Sequence, residues 1–579
     1  MPTLYATTSF NALKNDEVFD QVVIGSGAGG MAAALFAAIK GFKVLIVERT
    51  EYVGGTTALS GGTTWAPLTR YLADTATDDS FEKVMTFLDA AVGEFSDRSQ
   101  REAFVSASAN AIHTLVDHTE VAFRACGFHP DYLADLPHAT TCGRALEPLP
   151  YVGRALGTHL SLLRPPIPEF TVLGGMMVNR EDIGHLLKRF KSPKSFAYTV
   201  KLLLNYLYDR IRFKQTSRSV MGHALIARML KSALDRNVYL VTETELTAIN
   251  SAQDGGVDSI QLTQAGQSKR LNIQHGLILA SGGFSRHAQR RQQLMPSGLS
   301  AYSPSAPGNT SNLHDQVEAL GAYYDDDADQ PSFYAPVSIR QRADGSIAVF
   351  PHFVFDRSKP GTLCVNNEGQ RFVNESLSYH DFVKEMLKGG ANTQTAWIIA
   401  DANAIAKYGL GMVRLGGDDL RPYIDDGYLI KADSLEELAE KTGTQSKYLI
   451  ESIRQINQSA ETGIDLSFHR GSNVYQRANG DPHHTPNPTL GKLSQAPYYA
   501  VKLYAGDIGA AKGFKGNANG QLLKRDDQPI PRLYACGNDL DSIMGGTYPG
   551  PGITIGPAIV FAYLAIEHQF TLSQRNNNK

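Results

Sequence analysis

Phe19-Asp20-Gln21-Val22-Val23-Ile24-Gly25-Ser26-Gly27-Ala28-Gly29-Gly30, followed by Met31–Lys40 and then Lys43-Val44-Leu45-Ile46-Val47-Glu48, is the stretch that decides the fold. Phe19–Ile24 reads as a short buried strand interrupted early by Asp20 and Gln21, the Ala- and Leu-rich run Met31–Lys40 as a helix, and Lys43–Val47 as a second strand closing on Glu48. Strand, G-x-G-x-x-G turn, helix, strand and acid in that order form the dinucleotide-binding fingerprint in its required context. Gly25 makes the tight turn, Gly27 lets the backbone approach a pyrophosphate, and Gly30 permits close helix–strand packing. The helix N-terminus at Ala28 and Gly29 faces the phosphates. Glu48 is placed to accept hydrogen bonds from an adenosine ribose, with Arg49 beside it.

The residues just beyond Glu48 separate FAD from NAD. Gly54-Gly55-Thr56-Thr57 and Ser60-Gly61-Gly62 make a small, hydroxyl-rich run. Such a run suits an extended, non-covalently held FAD whose ring system continues past the second strand. Near the other end of the chain, Leu533-Tyr534-Ala535-Cys536-Gly537-Asn538 reads as the strand and turn that hold a ribityl–pyrophosphate, with an amide at Asn538 where an acid is common. Thr554 and Ile555 complete the expected cofactor contacts.

With pieces of one nucleotide domain at both ends, a second domain is expected between them. The predicted fold class is α/β: a Rossmann-like FAD-binding domain assembled from residues 1–340 and 509–579, with an inserted α+β catalytic, capping domain at 341–508. A chain of 579 residues is long enough for several cores. Its net charge of −3 gives no general attraction to nucleic acid. Cys126, Cys142, Cys364 and Cys536 lack metal or redox spacing and read as buried thiols of a reducing, cytoplasmic compartment. His483-His484 sits in a Pro-flanked loop with no second ligand pair, so no metal is expected. The polar stretch Met1–Phe19 reads as neither signal nor span.

Two segments ask for a chemical explanation. Gly545-Gly546-Thr547-Tyr548-Pro549-Gly550-Pro551-Gly552 is a stiffened loop suited to aiming a phenol and a bare backbone N–H at one oxygen, as a carbonyl gaining negative charge requires. Between Lys188 and Arg218, nine basic side chains (Lys188, Arg189, Lys191, Lys194, Lys201, Arg210, Arg212, Lys214 and Arg218) face the single acid Asp209, interleaved with apolar residues. Two readings of this segment stay open: a solvated helical face beside the core, or an amphipathic pair that lies on a membrane or guards entry of an apolar substrate.

Taken with Gly143-Arg144-Ala145-Leu146-Glu147-Pro148, Gly369-Gln370-Arg371-Phe372-Val373-Asn374-Glu375, Phe468-His469-Arg470-Gly471 and the Thr547–Gly556 loop, the chain resembles the flavoprotein 3-ketosteroid Δ1-dehydrogenases of the fumarate-reductase-like flavoprotein group over almost its whole length. The resemblance implies that Tyr548 and the Gly552 N–H hold a ring carbonyl, that Tyr379 is the phenolate base, and that Tyr132 hydrogen-bonds to that base and eases its ionisation. Fumarate-reducing relatives carry an arginine acid after the same RFVNE motif, where this chain has Tyr379. The implied substrate is therefore an apolar cyclic ketone, desaturated next to its carbonyl. A smaller oxocyclohexane carboxylate, a ketosteroid Δ4 reaction, a fumarate- or acrylate-type reductase and a flavin-binding electron carrier with a dead site are the alternatives. No second nucleotide motif is present, so a quinone or a carrier protein is the expected electron acceptor.

Overall fold

The computed structural model describes residues 9–415 and 419–577; residues 1–8, part of the N-terminal stretch read above, lie outside it. Its first sheet carries the parallel strands β1 (Glu17–Ile24), β2 (Val44–Val47), β3 (Tyr239–Val241), β4 (Gln267–Leu279) and β5 (Pro529–Ala535), in the spatial order β3-β2-β1-β4-β5. Val22, Val23 and all four residues of β2 are buried, as expected of a parallel sheet covered on both faces. Helix α1 (Ala28–Ile39) carries ten buried residues in succession, from Ala28 to Ala37. Small side chains let it lie between the sheet and neighbouring helices. The C-terminal half of β4 pairs in parallel with β1 on one side and β5 on the other.

The basic segment folds as helix α2 (Pro193–Phe213), whose N-cap Ser192 accepts from the Ser195 N–H. Helix α3 (Met221–Asp235) returns to the sheet and packs on α1 and on the Thr57–Leu59 turn. There Gly222 meets the cofactor run so closely that an added Cβ would lie 1.9 Å from the Thr57 carbonyl oxygen.

The second sheet is antiparallel, in the order Ile347–Pro351, Ser332–Gln341, Tyr498–Ala510, Thr395–Ala400, Thr362–Val365. The anticipated border at 340/341 falls at the last residue of Ser332–Gln341, and the border at 508/509 falls near the end of Tyr498–Ala510. Both strands pair with each other and lie within this second sheet. Helix α4 (Tyr379–Lys388) packs on Ser332–Gln341 and starts with a phenol, its N-cap Ser378 accepting from the Asp381 N–H.

A buried ion cluster fixes where α4 begins. Arg371 pairs with Glu375 at 2.7 Å and with Asp465 at 2.7 Å, and Arg470 lies 3.2 Å from Glu375. Arg357 donates to the carbonyls of Glu375 and Leu377 at 2.6 and 3.2 Å. The guanidinium groups hold the Glu375 and Asp465 carboxyls below their usual range against the opposing effect of burial. Thus RFVNE and FHRG, distant in sequence, form one clamp. The three arginines nearest the start of α4 are all committed to protein oxygens.

The chain ends in helix α5 (Ile555–Asn577), apolar and long enough by composition to cross a membrane, yet packed against α1 and Arg98–His118. All four cysteines are free and buried.

Candidate active site

The turn after β1 meets the demands of a pyrophosphate cradle. A Cβ added at Gly25 would come 2.1 Å from the Ala280 carbonyl oxygen, and one at Gly30 would come 2.0 Å from that of Gly25. Only glycine allows this approach, and Gly25 has φ +106°. At Gly27 the added atom would meet nothing nearer than the Thr57 hydroxyl at 3.8 Å, so space opens above the helix N-terminus. Ala28 N–H donates to Thr57 Oγ1 at 3.1 Å. The buried N–H groups of Gly29 and Gly30 find no protein acceptor among the described residues. Buried donors without acceptors at a helix N-terminus are what an anionic phosphate satisfies.

The remaining cofactor candidates surround this cradle, with two departures. Gly55 lies against Gly27, its added Cβ 3.5 Å from the Gly27 Cα, and Ser60 bonds Thr57 O and Gly62 N. Gly61 leaves open space, with only Thr63 Oγ1 near. Thr56 Oγ1 accepts from Ala306 N and Asn309 Nδ2. Glu48 closes β2 as expected, but its carboxylate already accepts from Ser26 on one oxygen and from Thr50 N and Oγ1 on the other. Arg49 points to the surface, bonded to Thr310 and near Glu245.

At the far end, Gly537 and Asn538 sit in a short turn with the Asn538 amide against Gly509. The acid one position later was missed in the sequence. Asp539 is fully buried and accepts from Ser281 Oγ and Gly283 N at 2.9 Å each, with His314 Nε2 also at 2.9 Å. It ties the two Gly turns of β4 and β5 together.

The loop Gly545–Gly556 docks backbone to backbone on the segment after Gly62. Trp65 N–H donates to the Gly552 carbonyl at 3.1 Å. Added Cβ atoms at Gly552 and Gly556 would lie 2.3 Å from Thr63 O and 1.8 Å from Trp65 O. The Gly552 N–H, half-buried at φ +88°, has no protein acceptor among the described residues. Thr554 follows within reach of the Tyr548 hydroxyl, and Ile555 opens α5.

Three tyrosines from distant segments converge on this loop. Tyr548 lies 4.9 Å from Tyr379 between ring centroids, edge to face, and 5.6 Å from Tyr132, stacked. The hydroxyls of Tyr132 and Tyr379 are 3.4 Å apart. Tyr132 is pinned by its N–H to the Pro549 carbonyl at 2.8 Å. The preceding Asp131 is buried against Trp65 Nε1 and the Arg144 guanidinium of the GRALEP motif. Phe333 and Phe353 wall the cluster. Two members escaped the sequence reading. Tyr475 sits 4.8 Å from Tyr132 with a buried, unpartnered hydroxyl. His380, stacked on Tyr334, has its Nε2 buried without a partner, and burial pulls its pKa down to about 3.

The electrostatics correct one expectation. Burial, first of all, raises the Tyr379 phenol well above 10, and its contacts with Tyr132 and Tyr548 add to the rise. The same pair contact favours the ionised form of Tyr132 instead, though burial still leaves Tyr132 well above 10. Tyr548 is pushed up to about 12. Desolvation dominates at Tyr379, and its two phenol neighbours add to the rise rather than offset it.

Comparison with known proteins follows the same lines. The model of the FAD binding domain matches residues 20–555. The 4-oxocyclohex-2-ene-1-carboxylate 5-dehydrogenase of Sinomonas cyclohexanicum is 35% identical over 94% of this chain and 92% of its own length. The 3-oxosteroid 1-dehydrogenase of Mycolicibacterium smegmatis is 32% identical over 94% and 96%. The crystal structure of the 3-ketosteroid Δ1-dehydrogenase from Sterolibacterium denitrificans, in complex with 1,4-androstadiene-3,17-dione, superposes with a TM-score of 0.89 at 30% identity, covering 96% of this chain and 100% of that one.

The cradle generates a direct prediction. Gly30→Ala drives a methyl into the Gly25 carbonyl, so the variant is expected to purify with its 450 nm flavin absorbance largely lost. Retention of full flavin content would contradict the role assigned to this contact.

Proposed function

The chain belongs to the FAD-binding flavoprotein family that includes the 3-ketosteroid Δ1-dehydrogenases, and from that premise we propose that it desaturates an apolar cyclic ketone, a 3-ketosteroid, next to the carbonyl. The observation that carries the reading is the clustering of Tyr548, Tyr379 and Tyr132 in one buried cage, on the loop that also carries the unpaired Gly552 N–H. The Tyr548 hydroxyl and the Gly552 N–H are the donors for the ketone oxygen. Each such donor contributes on the order of 3 kcal/mol where charge develops. Their pull acidifies the α-C–H, and Tyr379 takes that proton. Bound FAD supplies the acceptor for the β-hydride. Loss of the α-proton to the Tyr379 phenolate, together with loss of the β-hydrogen as hydride to an acceptor such as FAD would supply, would leave a C=C bond conjugated with the ketone.

A desolvated phenolate is scarce at neutral pH but strongly basic, which suits a carbon acid. Tyr132 positions the Tyr379 oxygen through the 3.4 Å contact. The commitment of Arg371, Arg470 and Arg357 to protein oxygens leaves none of these three to clamp a substrate carboxylate at the start of α4 and weighs against a fumarate- or acrylate-type reductase. The oxocyclohexane carboxylate reading remains the second, favoured by the 35% identity to the Sinomonas enzyme. The electron acceptor in this reading is a quinone or a carrier protein.

Two tests follow from the cage. Tyr548→Phe and Tyr379→Phe are each expected to slow anaerobic bleaching of the flavin by 3-ketosteroids at least ~10²-fold while flavin stays bound; an unchanged rate removes that residue from the mechanism, and failure of every cyclic ketone to bleach the wild type removes the reaction class. The active form of Tyr379 is deprotonated and its pKa lies above 10, so the rate of the proton-transfer step should climb about tenfold per pH unit through neutrality and still be rising at about pH 9. A plateau already reached at about pH 7 would contradict a desolvated phenol as the base.

A further inference from the structure

Helix α2 carries its apolar stripe outward. Phe196, Val200, Leu203, Leu204, Leu207 and Ile211 recur at helical spacing, and each is between 36% and 76% exposed. The inward face is made instead of Ser195, Thr199, Leu202 and Asp209. Phe190, in the turn before the helix, is 81% exposed. An unpartnered stripe of this length runs against the cost of leaving apolar area in water.

The charges around it are one-sided. Eight of the nine basic side chains between Lys188 and Lys214 and at Arg218, all but Arg218, are exposed and take part in no ion pair among the described residues. The segment's only acid, Asp209, is turned inward to Arg154 and Ser217. Arg218 is paired with Asp182 beneath the helix.

We infer that the outer face of α2 is a docking surface for a lipid bilayer with anionic headgroups. An apolar stripe sized for the headgroup–acyl boundary, flanked by unpaired cations, is the composition of a helix lying in a membrane interface. Charge complementarity selects this occupant over a second copy of the chain, because a two-fold contact through α2 would bring like-charged margins together. The open choice between a solvated face and a membrane face thus falls to the membrane. The helix is not remote from the tyrosine cage. Its inner side packs on the Thr171–Met177 hairpin. Phe170 then touches Phe350, and Phe353 touches Tyr379. If the ketone reading above holds, a lipid-dissolved substrate meets the protein on a side connected to the cage; lipid binding itself does not depend on that reading.

The test is co-sedimentation of the full-length holoenzyme with vesicles of phosphatidylcholine alone and of phosphatidylcholine mixed with phosphatidylglycerol. The wild type is expected in the pellet only with the anionic vesicles and to be released by about 0.5 M salt. The double variant Leu204→Glu/Leu207→Glu should bind at least ~tenfold less, with unchanged flavin content and unchanged flavin bleaching by a water-soluble cyclohexanone. Wild-type protein that stays in the supernatant with anionic vesicles, or a variant that pellets equally well, overturns the inference. A wild-type dimer that the variant converts to monomer, without vesicle binding, assigns the face to a second copy instead.

Discussion

The contact on which the site depends is backbone against backbone, between Gly550–Gly556 and Thr63–Trp65. No side chain fits at Gly552 or Gly556, because a Cβ would sit 2.3 and 1.8 Å from carbonyl oxygens of the facing segment. At Gly550 it would sit 2.8 Å from Trp65 Nε1 and 2.9 Å from Asp131 Oδ1. This one seam joins three things. Thr63–Trp65 continues the hydroxyl-rich run that lies over the Gly27 turn. Asp131 leads into Tyr132. The loop itself carries Tyr548 and the Gly552 N–H. The Gly27 turn, Tyr548, the Gly552 N–H and Tyr132 are thereby held in one arrangement, and in the proposed reaction this positioning would set the geometry.

Around that seam the protein accepts an electrostatic cost. Four phenols, from Tyr132, Tyr379, Tyr475 and Tyr548, are buried together, and burial raises every one of them. Ionising any of them in an apolar cage is unfavourable. The same isolation makes a donor hydrogen bond to a developing enolate stronger than it would be in water. The Arg371–Glu375–Asp465–Arg470 cluster, also buried, lies beneath the start of α4 and fixes the point at which Tyr379 leaves the backbone. Breaking such a cluster by removing one partner typically costs about 3–5 kcal/mol, and here the damage would reach the base through the helix it starts.

The cofactor half was legible because its signals are local. Gly25, Gly27 and Gly30 answer steric demands made by residues a few positions away, and the buried strands announce themselves as apolar runs. The pairing of Ser332–Gln341 with Tyr498–Ala510 was not legible, since it joins the two ends of the insert and no local signal marks it. Tyr548 was readable from its glycine- and proline-rich loop. Tyr379 and Tyr132 were picked out through resemblance alone, because nothing local distinguishes them among 25 tyrosines. Tyr475 went unread for the same reason, its Asn473-Val474-Tyr475 context reading as an ordinary helix start. Asp539 was passed over because its task, bonding Ser281, Gly283 and His314, exists only once β4 and β5 are adjacent. The rise of the Tyr379 phenol well above 10 was not legible either, because sequence gives the neighbour Tyr132 but not the depth of burial.

The central claim is that the tyrosine cage removes an α-proton from a ketone held by Tyr548 and Gly552. It is tested most directly by hydrogen exchange: the holoenzyme, prereduced so that no desaturation can proceed, is incubated with the ketone in D₂O, and the recovered ketone is read by NMR. The account predicts deuterium entering the α-position with wild-type enzyme and exchange falling to the uncatalysed level with Tyr379→Phe. Equal exchange in the two proteins would contradict it.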